Sequence, residues 1–316
     1  MNVLVAIYSA FASWCIPEGQ VEWLRREFPR HRFARADSDD ETLARIADAD
    51  VVFGATVRPD QLAAARKLRW IHSPAAGIGN MLFPEMIASS VVMTNSRGNS
   101  AATIAEHTVG VTIALLRDLP LAIRRQSERI WAQDEFNAGA RIRMLRDCRV
   151  LIVGFGSIGR EVGRLMTALG ASVVGIRKHD QDPQRLLGEL QLADVVVISA
   201  PQTQATLHLI GDAELAAMKE GAVIVNVSRG KLVDEAALAR TLAEGRLRGA
   251  ALDVFEHEPL SAGSPLWLRE DVLITPHVSG FQPRHWPDAA ALFADNLRRF
   301  EAGQPLLNRV DKVAGY

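Results

Sequence analysis

Four polar side chains in the last third of the chain stand where a parallel sheet would present them to a ligand. They are Arg229, the carboxylate pair Glu256 and Glu258, and His277, and they follow apolar runs that end at residues 227, 252 and 274. In an open α/β sheet the carboxyl ends of the strands face the ligand crevice. We therefore expect one guanidinium, two carboxylates and one imidazole at the same edge.

These groups suit the reduction of a ketone by hydride transfer. Negative charge grows on the carbonyl oxygen as the hydride arrives, and an imidazolium such as that of His277 can protonate it at neutral pH. A carboxylate beside the ring would favour the protonated form, and the planar fork of Arg229 could bind the carboxylate of a 2-oxo acid. Without this convergence, Arg229 would be an ordinary surface ion pair and the two glutamates part of a solvated loop.

The position of a cofactor is indicated by the string Gly154-Phe155-Gly156-Ser157-Ile158-Gly159. An apolar run at 150–153 precedes it, and residues 160–166 have the apolar spacing of a helix. In this context the first glycine allows a tight turn, the second lets the backbone approach a pyrophosphate, and the third lets helix and strand pack closely. The string therefore predicts a dinucleotide site at the start of a helix.

The next predicted strand, 172–176, ends in two cations, Arg177 and Lys178. An NAD site has an acidic residue near this position that binds the ribose 2′-hydroxyl, and none stands at the strand tip. The cations would instead attract a 2′-phosphate, so we expect NADP(H) to be preferred. NAD(H) stays an alternative if Asp180 or Asp182 reaches the ribose.

The elements around these groups alternate as in two parallel sheets covered by helices, with the glycine turn after the first strand of the second series. Ser38 suits the N-cap of the first predicted helix, with Glu41 three residues on. Strands are predicted at 3–8, 51–53, 68–73, 91–95, 150–153, 172–176, 194–199, 223–227, 250–253 and 272–275. Helices are predicted at 38–49, 101–116 and 286–300.

Composition and charge exclude several classes of protein. The chain has 316 residues, of which 48% are hydrophobic and 23% charged, as in a soluble globular protein of one or two domains. Its net charge of -1 gives no reason to expect nucleic acid or a membrane surface as a partner. Two cysteines cannot form a disulfide framework, and no Cys and His spacing suggests a metal site. A reducing cytoplasm is the expected compartment.

Four ordered motifs resemble those of the D-isomer-specific 2-hydroxyacid dehydrogenases, which include glyoxylate/hydroxypyruvate reductases and phosphoglycerate dehydrogenases. They are the glycine string at 154–159 and the strings at 226–230, 251–260 and 275–277. The resemblance covers essentially the whole chain. It implies a flavodoxin-like substrate domain of residues 1–98 plus 286–316 and a Rossmann dinucleotide-binding domain of residues 99–285.

The resemblance also implies roles for individual residues. The family's catalytic arginine, glutamate and histidine fall on Arg229, Glu258 and His277, which favours Glu258 over Glu256. Its nicotinamide-amide aspartate falls on Asp253. Its carboxylate-binding loop, whose backbone N–H groups would hold the substrate, falls on Ala75, Ala76 and Gly77. The other residues expected at the cofactor are Pro201, Val227, Ser228, Ser279 and Gly280.

Together these observations predict an enzyme that reduces a small 2-oxo acid, such as glyoxylate or hydroxypyruvate, to a D-2-hydroxy acid. The resemblance implies a homodimer, with the helix at 101–116 and the arginine-rich arm after it at the interface. Two alternatives stay open: an NAD-dependent dehydrogenase of another D-2-hydroxy acid such as 3-phosphoglycerate, and a dinucleotide-sensing binding protein without turnover. The chain departs from many relatives at Gly79, where an aspartate is common, and matches the family poorly over 119–145.

Overall fold

The computed structural model describes residues 1–137, 142–177 and 182–315. These residues divide into two compact units, one formed by Met1–Asn99 with Gln282–Tyr316 and the other by Ser100–Phe281. Each unit contains one parallel sheet with its helices. The predicted α/β class, with two parallel-sheet domains, is therefore confirmed.

The first unit has a flavodoxin-like sheet of five parallel strands. The strands are β1 (Asn2–Ala6), β2 (Arg32–Arg35), β3 (Val51–Gly54), β4 (Trp70–Ser73) and β5 (Val92–Asn95). The helices are α1 (Glu18–Glu27), α2 (Asp39–Ile46), α3 (Pro59–Ala64), α4 (Pro84–Ala88) and α12 (His285–Glu301). The strand order is β2-β1-β3-β4-β5. The Ser38 hydroxyl accepts from the N–H of Glu41 at the start of α2, so the predicted cap is confirmed.

Stacked aromatic rings join the last helix to the first sheet. The rings of Phe53 on β3 and Phe293 on α12 are parallel, with centroids 4.4 Å apart, and Trp70 on β4 stacks on Phe293 at 5.3 Å. All three side chains are fully buried. Burying rings of this size is a large hydrophobic gain, so α12 belongs to the core of the first unit although it is distant in sequence.

The second unit contains six strands, all parallel to their neighbours. They are β6 (Arg149–Val153), β7 (Ser172–Ile176), β8 (Val195–Ile198), β9 (Val223–Asn226), β10 (Gly249–Leu252) and β11 (Val272–Ile274). The helices are α5 (Ala101–Leu116), α6 (Leu119–Ser127), α7 (Gln133–Asn137), α8 (Ser157–Ala168), α9 (Pro183–Leu192), α10 (Asp212–Ala217) and α11 (Glu235–Ala243). The strand order is β11-β10-β9-β8-β6-β7. The order reverses between β6 and β8, which is where open α/β sheets bind ligands.

The register of the second sheet brings its functional loops together. Asn226 at the end of β9 pairs with Leu252 at the end of β10, which in turn pairs with Ile274 at the end of β11. The residues that follow these three strands therefore leave the sheet side by side. Their convergence, predicted from the apolar runs, follows directly from this alignment.

One strand of the first sheet was not predicted from the sequence. In β2 the exposed residues Arg32 and Ala34 alternate with partly buried ones, and only β1 pairs with it. An edge strand of this kind has no continuous apolar run, so the pattern that marks buried strands is missing. Within the part of the chain that the structure describes, none of the helices combines the length and apolar character needed to cross a membrane.

Candidate active site

The glycine turn after β6 packs closely on the end of β8. Gly154 has a φ of 98°, and a Cβ there would lie 2.3 Å from the backbone nitrogen of Ala200. A Cβ at Gly159 would lie 2.4 Å from the carbonyl oxygen of Gly154, whereas a Cβ at Gly156 would meet nothing within 4 Å. The open face at Gly156 and the start of α8 at Ser157 fit the pyrophosphate of a dinucleotide.

The tip of β7 carries the residue expected to select the cofactor. Arg177 is exposed, and its guanidinium carbon lies 5.8 Å from the centre of the Phe155 ring. The Phe155 ring covers Gly175, where a Cβ would lie 2.3 Å from it. Because Gly175 has no side chain, the Phe155 ring fills this place on β7 and lies beneath the guanidinium of Arg177. Lys178, the second cation of the prediction, and Asp180 lie outside the described residues.

The loop after β9 is held by the buried side chain of Asn226. Its amide nitrogen donates to the carbonyl of Arg229 at 3.0 Å, and its oxygen accepts from the N–H and hydroxyl of Ser228 at 3.1 and 3.0 Å. Arg229 donates through Nη1 to the carbonyl of Ser228 at 2.6 Å. Burial lowers the pKa of the Arg229 guanidinium, and the charge of Glu258 opposes this shift.

Gly230 lets the loop after β9, which we call the arginine loop because it carries Arg229, pack directly against the loop after β10. A Cβ at Gly230 would lie 1.8 Å from the carbonyl carbon of Phe255 and 2.3 Å from the backbone nitrogen of Glu256. Only a residue without a side chain permits this approach. Arg229 and Glu258 are thus carried by two loops in direct backbone contact.

His277 and Glu258 form a hydrogen-bonded pair. Nδ1 of His277 lies 2.7 Å from Oε2 of Glu258, and the N–H of Phe255 donates to Oε1 at 3.0 Å. Burial raises the pKa of the Glu258 carboxyl, but the hydrogen bonds from His277 and Phe255 outweigh it and leave the pKa below its usual value. An ionised carboxylate only accepts, so Nδ1 is the donor. Nε2 makes no hydrogen bond to any residue that the structure describes.

The loop that carries His277 is anchored by the buried carboxylate of Asp253. Its oxygens accept from the hydroxyl of Thr275 and from the N–H groups of Val278 and Ser279, at 2.5, 2.9 and 3.0 Å. The N–H of His277 donates to the carbonyl of Asp253 at 2.8 Å, and His277 has a left-handed φ of 56°. These bonds stabilise a backbone conformation that is uncommon for histidine. Three of the four lone-pair positions of the carboxylate are thus used within this unit.

Glu256, the other carboxylate of the predicted pair, makes its contacts elsewhere. Its Oε1 accepts from the N–H of Glu235 at 3.0 Å and lies 3.2 Å from Nε2 of His208. The N–H of Glu256 donates to Glu235 in return, at 3.3 Å. Burial raises the pKa of the Glu235 carboxyl. These two hydrogen bonds hold the loop after β10 against the first residue of α11. No feature of the sequence indicated this contact.

The other residues expected at the cofactor follow strands of the same sheet. Pro201 comes after β8, Val227 and Ser228 after β9, and Ser279 and Gly280 after β11. The N–H groups of Ser228 and Ser279 already donate to side chains of this unit. If these two serines contact a cofactor, they must therefore do so through atoms other than their backbone N–H groups.

The loop expected to bind the substrate carboxylate follows β4, in the first unit. The carbonyl of Ala75 accepts from the N–H of Ser96 at 3.1 Å, and the carbonyl of Ala76 accepts from Nδ2 of Asn95 at 2.7 Å. Ala76 and Gly77 are exposed, whereas Asn95 and Ser96 are buried. The sequence indicated the loop but not the two residues that hold it.

Comparison with known proteins identifies the family. Residues 109–279 match the family model for the NAD-binding domain of D-isomer-specific 2-hydroxyacid dehydrogenases. A D-3-phosphoglycerate dehydrogenase from Methanocaldococcus jannaschii is 30% identical over 86% of this chain. The chain spans about half the length of that relative, 53%.

Two solved structures resemble the chain over its whole length. A D-isomer-specific 2-hydroxyacid dehydrogenase from Xanthobacter autotrophicus, in complex with NADPH, is 28% identical with a TM-score of 0.83, covering 100% of this chain and 99% of that one. An NADPH-dependent glyoxylate/hydroxypyruvate reductase from Sinorhizobium meliloti, in complex with NADP and sulfate, is 25% identical with a TM-score of 0.84 and the same coverage. The predicted resemblance is confirmed, and the chain belongs to the D-isomer-specific 2-hydroxyacid dehydrogenase family.

Proposed function

We propose that the protein reduces a small 2-oxo acid to the D-2-hydroxy acid with NAD(P)H. The observation that carries the proposal is the pair of His277 and Glu258, 2.7 Å apart, with Glu258 on a loop packed against that of Arg229. When bound, the reduced nicotinamide supplies the hydride. We assign the second unit to the dinucleotide and the first unit to the substrate.

His277 would protonate the carbonyl oxygen through Nε2. Glu258 accepts the hydrogen bond from Nδ1, which fixes the ring orientation and leaves Nε2 for the substrate. The lowered pKa of Glu258 keeps it ionised at neutral pH, so it can stabilise a positively charged ring. This is the arrangement that a general acid needs when negative charge develops on a ketone oxygen.

Arg229 would bind the substrate carboxylate and polarise the adjacent carbonyl. Its guanidinium is partly buried and has one hydrogen bond to the carbonyl of Ser228, which directs the fork without using most of its donors. A buried guanidinium binds a carboxylate more strongly than an exposed one, because less water competes for its donors. From the family resemblance we also propose that the N–H groups of Ala76 and Gly77 bind the substrate.

Glyoxylate and hydroxypyruvate are our first candidates for the substrate. The similarity to the Sinorhizobium reductase supports them, and the similarity to phosphoglycerate dehydrogenases keeps 3-phosphoglycerate as the alternative. Initial rates with glyoxylate, hydroxypyruvate, pyruvate and a bulky aromatic 2-oxo acid, each with NADPH and NADH, test the proposal. If neither cofactor is oxidised with any of these acids, a dinucleotide-sensing protein becomes the better reading.

We propose NADP(H) as the preferred cofactor, with NAD(H) as the alternative. Arg177 at the tip of β7 supports this choice, since a guanidinium can bind the 2′-phosphate through two hydrogen bonds. In Arg177→Asp we expect a much larger loss of affinity for NADPH than for NADH, measured by fluorescence titration. An equal loss for both cofactors would refute this role.

We also propose a homodimer formed through the arm after α5. Helix α6 and the residues after it expose large apolar side chains: Ile123 is 64% exposed and Trp131 is 90% exposed. Large apolar side chains exposed within one short segment of the chain support an interface there. Sedimentation equilibrium should give twice the chain mass, and Trp131→Ser should shift the equilibrium toward the monomer.

A further inference from the structure

The loop at Ala75 to Gly77 is held from one side by the end of β5. Asn95 donates through Nδ2 to the carbonyl of Ala76 at 2.7 Å, and Ser96 donates through its N–H to the carbonyl of Ala75 at 3.1 Å. The hydroxyl of Ser96 also donates to the carbonyl of Ser73 at 3.0 Å. Two consecutive carbonyls of the loop therefore face the segment 95–96.

This arrangement determines where the N–H groups of the loop point. A trans peptide is planar, so the carbonyl of one residue and the N–H of the next point in opposite directions. With the carbonyls of Ala75 and Ala76 directed at the segment 95–96, the N–H groups of Ala76 and Gly77 both point away from it. Neither N–H donates to another residue within the described parts of the chain, and both residues are exposed. Two adjacent N–H groups with one direction are suited to an anion.

We propose that Asn95 is a positioning residue for the substrate carboxylate, acting through the peptide between Ala76 and Gly77. This inference rests on the proposed function, which identifies the anion as a 2-oxo acid. Of the two contacts that orient the N–H groups, only that of Asn95 comes from a side chain, so a substitution can remove it. Its amide oxygen also accepts from the N–H of Arg97 at 3.3 Å, so the amide nitrogen is the end that faces Ala76.

The test is Asn95→Ala, with Asn296→Ala as a matched control. Asn296 is also fully buried in the first unit, and its Nδ2 donates to the carbonyl of Leu307 at 3.1 Å and not to a carbonyl of residues 75–77. Both variants lose a buried amide bonded to a backbone carbonyl, so both should lose stability. Only Asn95→Ala should raise KM for glyoxylate, by about tenfold with a smaller change in kcat, because a bond to a charged ligand is loosened.

A second measurement separates this inference from the proposed reaction. The affinity for oxamate, an unreactive carboxylate analogue, is measured by calorimetry with NADPH present. It should fall about tenfold in Asn95→Ala and stay unchanged in Asn296→Ala, whether or not the protein turns over a 2-oxo acid. A folded Asn95→Ala with normal KM and normal oxamate affinity refutes the inference alone. A wild-type protein with neither turnover nor oxamate binding refutes both. Asn95→Ser replaces the alanine variant if that one does not fold.

Discussion

The substitution Gly230→Ala tests whether backbone packing sets the distance between the cationic and acidic parts of the site. The added Cβ would lie 1.8 Å from the carbonyl carbon of Phe255, whereas real Cβ contacts stay above 3.0 Å, so the two loops must separate by more than 1 Å. Both sides of this contact are backbone, so a rotamer change cannot relieve it. Arg229 is the adjacent residue and must move with the loop. A misplacement of about 1 Å can cost a hundredfold in rate.

We therefore expect kcat/KM for the best 2-oxo acid to fall by about a hundredfold in Gly230→Ala, with a lower unfolding midpoint from the strained contact. Gly188→Ala is the matched control. Gly188 lies within α9, where a Cβ would meet nothing within 4 Å, so the same chemical change should preserve activity and slightly raise stability. Steady-state kinetics and urea unfolding measure both effects. A folded Gly230→Ala with kcat/KM within a factor of about three of wild type would contradict the packing argument.

Three further predictions concern Glu258, Asp253 and the buried His72 of β4. Glu258→Gln should lower kcat by about ten- to a hundredfold at neutral pH, because His277 loses an ionised acceptor; an unchanged kcat would contradict the assignment. Asp253→Asn should lower the urea midpoint of unfolding, since one amide oxygen cannot accept all three bonds from the loop of His277; an unchanged midpoint would show that these bonds do not hold it. Burial lowers the pKa of His72 to about 3, so only the unfolded state binds this proton between pH 6.5 and 3. The free energy of unfolding should fall with decreasing pH in that range, by up to about 1.4 kcal/mol per unit, and His72→Gln should show a smaller slope by urea titration; equal slopes would refute this.

The strands of the second sheet were accessible from sequence because their signals are local. Each strand is an apolar run, and the glycine string lies between a strand and a helix, so neighbouring residues carry the information. Gly154 illustrates this: its φ of 98° and its approach to Ala200 are what the first glycine of such a string requires. Local patterns also placed Arg229 and His277 at strand ends, and the aligned strands bring them to one edge.

The choice between Glu256 and Glu258 was not accessible from spacing alone. The two are separated by one residue and follow the same strand, and only the family resemblance favoured Glu258. In the structure Glu256 is bonded to Glu235 and His208, whereas Glu258 is bonded to His277. These partners lie 19 to 48 positions away along the chain, so no local pattern could report them. The edge strand β2 was not predicted because it lacks the apolar run that marks a buried strand.

Buried polar side chains at strand ends organise three loops of the candidate site. Asn95 at the end of β5 holds Ala76, and Asn226 at the end of β9 holds the arginine loop. Asp253 after β10 holds the loop that carries His277. Each is almost fully buried, so each must use its hydrogen-bonding capacity on the backbone nearby. This requirement links function to stability: the group that fixes a ligand-facing loop is also one whose removal leaves a buried partner unsatisfied. Variants at such anchors should therefore lose both together, while variants at ligand-facing groups such as Arg229 can lose activity alone.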